Sequence, residues 1–262
     1  MLLKIIPTHL LQSYQSLVNK DELAFAFEKL QEATISTDTF SFYTSVSAIA
    51  SSRIEGEAME IDSYVKHKML KIEYLKDLVE KPNDLYDTYL YAQKNKLNKS
   101  NFLKAHKILA KHLLSKNKLG ICRLTNMVVM EHRTFRIQYE AAPANEVQHL
   151  FEILWQDINT LKKQKLSIDE VFYFAACIHL VFVNIHPFED GNGRAGRLLE
   201  KWFIAEKLGE KAWFMQSELH YYQEINNYYK NLQQLGIFYE QLDYQKSLPF
   251  LLMLPQSLHR PM

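Results

Sequence analysis

Between Ser167 and Ala205 the chain combines two segments that few folds accommodate side by side. Val171, Phe174, Ala175, Ile178, Val181, Phe182 and Ile185 recur at helical spacing. Ser167, with Glu170 three residues on, forms a capping box that starts this run. Pro187 then interrupts it, and three of the chain's seven glycines, Gly191, Gly193 and Gly196, follow within ten residues. Leu198, Leu199, Trp202, Phe203 and Ala205 resume a helical apolar pattern. The segment therefore predicts a buried helix ending at His186, a polar glycine-rich loop, and a second helix that starts just after Gly191. Elsewhere, so few glycines and only seven prolines in 262 residues leave little to break helices, and the chain reads as all-α.

The loop concentrates chemistry as well as glycine. His186 titrates near pH ~6.5 in water and is suited to proton abstraction at neutral pH. Asp190 supplies an oxygen ligand for a hard cation such as magnesium. Gly191 and Gly193 allow consecutive N–H groups to point at an oxyanion, with Asn192 between them tolerating the same backbone. A helix starting there would aim its positive end at the anion. Arg194 and Arg197, three apart, lie on one face of it and suit a di- or triphosphate. A Walker A loop has similar glycines but ends in Gly-Lys-Ser/Thr, which is missing here. The remaining alternative from the residues alone is a His-Pro turn followed by a solvated helix start.

The stretch from His186 to Arg197 resembles the Fic motif, His-Pro-Phe-x-Asp/Glu-Gly-Asn-Gly/Lys-Arg-x-x-Arg, and matches it at every defined position. The resemblance implies a Fic-type helical bundle core with a small β-hairpin flap, and an enzyme that transfers AMP from ATP to a hydroxyl of a target protein. On that basis His186 would be the base and Asp190 would hold Mg2+ against the phosphates. Phe188 would anchor the loop, and Gly191, Asn192 and Gly193 would line the anion hole. Arg194 would meet the β-phosphate region and Arg197 the γ-phosphate. Related Doc proteins phosphorylate instead and carry Ala-Asn-Lys-Arg where this chain has Gly-Asn-Gly-Arg, the AMP-transfer form.

Far upstream, a helix is predicted from about Thr37, with Phe40, Tyr43, Val46, Ser47 and Ala50 as its inward stripe and Gly56 as its C-terminal cap. By itself Ser51-Ser52-Arg53-Ile54-Glu55-Gly56 is a helix end. Beside the Fic motif it resembles the family's inhibitory motif, Ser/Thr-x-x-x-Glu-Gly/Asn. The implication is that Ser51, Glu55 and Gly56 form an inhibitory element in which Glu55 pairs with Arg197 and takes the place of the γ-phosphate, or positions a water that removes AMP again. The division expected is an N-terminal helical region, 1–83, carrying this element, and a catalytic core with C-terminal helices, 84–262. Lys81-Pro82-Asn83-Asp84 is read as the connection between them.

Met127 to Met130 and Phe135 to Tyr139 read as a hairpin or an irregular loop, the turn lacking Asn-Gly. In Fic proteins the flap here holds a target segment by strand addition, which makes His132 and Arg133 candidates for target contact. Ser100 is the expected cap of a helix with Phe102, Leu103, His106, Leu109, Ala110 and Leu113 inward, and Pro143 precedes another. His106, His112 and His179 read as satisfied core or surface histidines. Fic cores carry a Tyr-Tyr pair after the catalytic helix, and Tyr229 and Asn226 are the nucleotide-site candidates there. Core packing is the competing role for the tyrosines.

A net charge of +1 points to no nucleic-acid or membrane surface. Cys122 and Cys177 form no metal or redox motif. Lys4 and Pro7 break the N-terminal apolar run below the ~7–15 residues of a signal-peptide core, and no segment is expected to reach the ~18 needed to span a bilayer, so the cytoplasm is the expected location. Many relatives continue into a winged-helix module after this region, where this chain stops, which weakens any expectation of DNA binding or of an operon-type regulatory role. The expected partners are ATP and a target protein, this chain among the candidates, with a homo-oligomer suggested by the self-association of relatives. The alternatives are transfer of another phosphate-containing group, AMP removal at the same site, or a non-catalytic ATP-binding regulator.

Overall fold

The computed structural model of the chain describes residues 2–30, 37–130 and 137–258. Twelve α-helices occur among them: α1 (Leu11–Leu17), α2 (Lys20–Lys29), α3 (Thr37–Ile54), α4 (Ile61–Leu70), α5 (Lys76–Gln93), α6 (Lys99–Leu109), α7 (Ala144–Lys163), α8 (Ile168–Ile185), α9 (Asn192–Leu208), α10 (Ser217–Gln223), α11 (Ile225–Gln233) and α12 (Leu248–Gln256). Two short strands, β1 (Val128–Met130) and β2 (Ile137–Glu140), pair antiparallel between α6 and α7. This is the all-α bundle with a small hairpin that the sequence predicts.

Helix α8 is the axis of the molecule. Every residue from Val171 to Ile185 is buried, as expected of a helix that is apolar on all sides, and α9, α7, α12, α2 and α1 pack around it. Its 18 residues have a mean hydropathy of 1.6. That corrects the expectation that no segment reaches membrane-spanning length, but 89% of the helix is buried inside the protein, so its apolar surface is already covered by neighbouring helices. The predicted Ser167–Glu170 capping box is present.

Three local expectations are corrected. Helix α6 is capped by the Asn98 side chain, which accepts from the Asn101 N–H at 2.9 Å, so the cap lies two residues before Ser100; Asn accepts as readily as Ser at this position. Lys81–Asp84 is no connection but the interior of α5, where Pro82 is buried. Its lost hydrogen bond is tolerated because α5 is held on both sides by α3 and α6. Finally, α3 has no single inward stripe: from Thr44 to Ser52 it is buried all round, wedged among α4, α5 and α10.

The C-terminus of α8 is fixed by Arg123, a fully buried residue. Its Nε donates to the His186 carbonyl at 2.7 Å, Nη2 to those of Ala142 at 2.5 Å and Ile185 at 3.2 Å, and Nη1 to that of Thr125 at 2.5 Å. Its own N–H donates to the Pro187 carbonyl at 2.8 Å. One side chain thus satisfies carbonyls left orphaned at the end of α8 and ties the approach to the hairpin to the loop that follows α8. Replacing it, Arg123→Met, is expected to lower unfolding free energy by about 3 kcal/mol, since several buried carbonyls lose their donor together. Urea denaturation followed by circular dichroism would measure this, and a loss below about 1 kcal/mol would mean that those carbonyls find other donors.

Candidate active site

The loop between α8 and α9 begins with a strained residue. His186 lies in the left-handed region at φ 53° and ψ 60°, which a side chain with a Cβ rarely adopts. The Arg123 bonds on either side of the turn hold it there. Its Nδ1 lies 3.1 Å from the Val183 carbonyl, so Nδ1 carries the proton and the basic lone pair is on Nε2. Burial, reinforced by the Arg123 cation, lowers its pKa to about 4, so the neutral base is the form present at pH 7.

Phe188 anchors the loop as its place in the motif implies. It is fully buried and stacks on the His106 ring with centroids 3.6 Å apart. Both ends of the Asn192 amide are committed to it: Nδ2 donates to the Phe188 carbonyl at 2.8 Å and Oδ1 accepts from the Phe188 N–H at 2.9 Å. The Asn192 side chain therefore shapes the loop, while its backbone N–H belongs to the unsatisfied first turn of α9. Gly191 caps that helix at φ 81°, and a Cβ there would also come within 2.6 Å of Leu109 Cδ2. Asp190 is half-exposed, and its Oδ1 accepts from the Gly191 N–H at 2.5 Å.

His106 is part of this machinery, not merely a core histidine. Its Nδ1 accepts from the Gly120 N–H at 3.0 Å, which leaves Nε2–H to donate to the Asp190 carbonyl at 2.9 Å. A buried imidazole in that arrangement must stay neutral, and burial lowers its pKa to about 4. Nothing in the sequence distinguished it from His112 or His179. His112 pairs with Asp84, and His179 is buried against Glu200 at 2.9 Å and Tyr228 at 3.2 Å.

The second half of the site comes from α3. That helix ends in a Schellman turn: Gly56, at φ 88°, donates to the Arg53 carbonyl at 3.1 Å, and the Glu57 N–H donates to that of Ser52 at 3.2 Å. Glu55 is thereby directed at Arg197, with Oε1 2.7 Å from Nη2. Arg197 is 1% exposed. Its Nε donates to Ser51 Oγ at 2.8 Å and Nη2 also to the Ser51 carbonyl at 3.0 Å. Burial disfavours the cation, but Glu55 outweighs it and holds the Arg197 pKa above its ordinary value. A Cβ on Gly193 would stand 2.2 Å from Glu55 Oε1, so a side chain there would displace this carboxylate from its place on the start of α9.

These parts enclose a cavity of about 250 Å³ lined by His186, Asp190, Gly191, Asn192, Gly193, Arg197 and Glu55 on one side and by Val128, Val129, Met130, Tyr139, Tyr228 and Tyr229 on the other. The structure thus brings together most of the predicted site residues. Arg194 is buried beside the cavity without lining it, and Asn226 is exposed on α11 and does not reach it. The neighbour that sequence reading passed over, Tyr228, is buried between Arg197 and His179. Tyr229 donates to the Ile54 carbonyl at 3.1 Å, which fastens α11 to the end of α3. The hairpin forms the roof, with a register irregularity between Val129 and Met130. His132 and Arg133 lie outside the described residues.

A family model described as Fic/DOC family matches residues 96–204, which include the whole loop. The chain carries a Fic/DOC family domain. Three solved structures share its fold. A Fic family protein from Desulfovibrio desulfuricans matches with a TM-score of 0.76 and 18% identity over 98% of this chain and 74% of that one. A Fic domain containing signaling protein from Bacteroides thetaiotaomicron matches at 0.67 and 20% identity, over 92% and 95%. Fic-1 from C. elegans matches at 0.60 and 17% identity, over 95% and 68%. No curated protein sequence matches. Fic/DOC proteins are typically transferases that place nucleotide or other phosphate-containing groups on proteins; the loop between α8 and α9 lies inside the matched residues, whereas α3 lies outside them.

The two histidines at this site, His106 and His186, make stability depend on pH. Each has a folded pKa of about 4 against ~6.5 in the unfolded chain. Between those values the unfolded chain binds more protons, so stability is full above ~6.5 and is lost as pH falls toward 4. His106 alone accounts for roughly 3 kcal/mol at full titration. Thermal unfolding of His106→Gln is expected to start from a lower Tm at pH 7.5 but to decline less between pH 6.5 and 4 than the unmodified chain. Parallel declines would assign the pH dependence to other groups.

Proposed function

We propose that this chain is a protein adenylyltransferase that transfers AMP from ATP to a hydroxyl of a target protein and is restrained by its own Glu55. The observation that carries the reading is the Glu55–Arg197 pair seated over Gly193, in the cavity that also holds the neutral His186. A carboxylate there occupies ground suited to a phosphate: the first turn of α9 offers unsatisfied N–H groups, and Arg197 offers a buried guanidinium.

In this mechanism Nε2 of His186 accepts the proton of the target hydroxyl as that oxygen bonds to the α-phosphorus of ATP. The bond from the α-phosphorus to the bridging oxygen breaks, and pyrophosphate leaves with its electron pair. The N–H groups of Asn192 and Gly193 receive the phosphate charge, with Arg197 and Arg194 completing the cradle. The target segment is read as adding to β1, because that strand is half-exposed while Glu140 on the far edge of β2 already donates to the Ile237 carbonyl at 2.6 Å.

Magnesium fits this site through one carboxylate. Asp190 borders the cavity half-exposed, and no group of three or more His, Cys, Asp or Glu side chains among the described residues could hold a metal alone. Such a donor set suits an ion held mainly by phosphate oxygens and water, and when bound it would offset the charge of the phosphates.

Glu55 sets the resting state. To pass from 1:99 to 99:1 in favour of the productive nucleotide complex, about 5.5 kcal/mol of differential binding is needed, so removing the carboxylate has a large effect. The test gives magnesium and a lysate of the source cell to the unmodified chain, Glu55→Gly and Glu55→Gly/His186→Ala, with ATP labelled at the α- or the γ-phosphate. Label on protein from the α position alone is expected, at least tenfold stronger for Glu55→Gly and absent from the double variant. Label from the γ position would make the chain a kinase, and silence from both would remove the transfer reading.

A further inference from the structure

The turn that ends α3 carries a second carboxylate, and it faces the other arginine of the loop. Glu57 stands two residues beyond Glu55, on the far side of Gly56. Its Oε1 lies 3.8 Å from Arg194 Nη1 and 3.0 Å from Lys81 Nζ on α5. Its backbone is fixed as firmly as that of Glu55. The Glu57 N–H closes the Schellman turn on Ser52, and Arg53 Nη1 donates to the Glu57 carbonyl at 3.2 Å and the Ala58 carbonyl at 2.9 Å. Arg53 is anchored in turn to the Tyr222 hydroxyl of α10 at 2.9 and 3.1 Å.

Arg194 is in an unsettled position. It is 4% exposed, and its Nε and Nη1 are buried with no hydrogen-bond acceptor among the described residues. The charge is balanced at longer range by Glu57 and by Asp190, whose Oδ1 lies 3.5 Å from Nη2. Buried guanidinium donors in this condition gain from any anionic acceptor that reaches them. Yet Arg194 does not line the cavity, whereas Arg197 does. The charge that could draw it there is opposed by a carboxylate in the turn that follows α3.

We infer that Glu57 is a second restraining carboxylate: it holds Arg194 toward the end of α3 as Glu55 holds Arg197, so that one Schellman turn withholds both loop arginines from a nucleotide polyphosphate. This rests on the reading of the cavity as an ATP site. Lys81 and Arg194 share the same Glu57 oxygen, so Lys81 competes with Arg194 and sets how strongly the restraint acts.

The test is calorimetric titration of full-length protein with ATP and magnesium, a readout that does not require turnover. In a Glu55→Gly background, adding Glu57→Gln is expected to tighten ATP binding by roughly fivefold or more, and adding Lys81→Met to weaken it by freeing Glu57 for Arg194. With Arg194→Ala also present, Glu57→Gln should change affinity by less than about twofold, because the group it acts on is gone. Unchanged or weaker binding on Glu57→Gln, or the same gain without Arg194, would overturn the inference while leaving the ATP site intact. Failure of Glu55→Gly itself to bind ATP would overturn both.

Discussion

A guanidinium buried as deeply as Arg197 has to meet a negative charge, and much of the site follows from which charge it meets. Its surroundings are built for an anion at one position only: Ser51 Oγ and the Ser51 carbonyl occupy its inner donors, and the donor turned toward the cavity is left for a carboxylate or a phosphate. Breaking a buried ion pair by removing one partner costs about 3–5 kcal/mol. The core therefore tolerates exchange of the anion far better than its loss. Under the proposed function, this is the physical basis on which a helix end and a nucleotide would be alternatives at the same place.

The same economy of anchoring governs the loop. His186 is held in an unfavourable backbone conformation, Phe188 is locked by Asn192 and His106, and Gly191 is pressed against Leu109. These constraints come from three separate elements: Arg123 before the hairpin, His106 on α6, and the first turn of α9. Together they present a neutral imidazole and a row of N–H groups to one cavity, and under the proposed function little would be left to reorganise on binding a phosphate.

The parts that were legible in the sequence are those in which function and local structure use the same residues. The capping box of α8, the glycine that opens α9, and the Ser51–Gly56 end of α3 are all short-range patterns, and each lies where its pattern placed it. His106 and Arg123 could not be found this way, because their partners are 84 and 63 residues distant, at Asp190 and His186. Their side chains carry no local sign of those contacts. Lys81–Asp84 misled for the converse reason: proline and asparagine are turn formers by propensity, but α3 and α6 hold α5 straight through them. Asn226 was two residues short of the inward face of α11, which Tyr228, Tyr229 and Leu232 define, and an offset of that size reverses a helical residue's direction.

Helix α3 is bound along its length, and that limits how the site can open. Ser47, Ser51 and Glu55 recur every four residues and meet Lys201 and Arg197, which are themselves four apart on α9. Lys201 is buried with Glu218 at 2.5 Å and needs the Ser47 hydroxyl, 2.8 Å away, to complete its hydrogen bonds. Withdrawing the whole helix would strip donors and acceptors from a buried ion network for which no nucleotide could substitute. The turn beyond Ile54 is different: its contacts to α9 are the carboxylates of Glu55 and Glu57 against arginines, and under the proposed function phosphate oxygens would take their place. Opening is therefore cheapest as a local rearrangement of Glu55, Gly56 and Glu57, with Ser47 and Ser51 left in place as the hinge on which it turns.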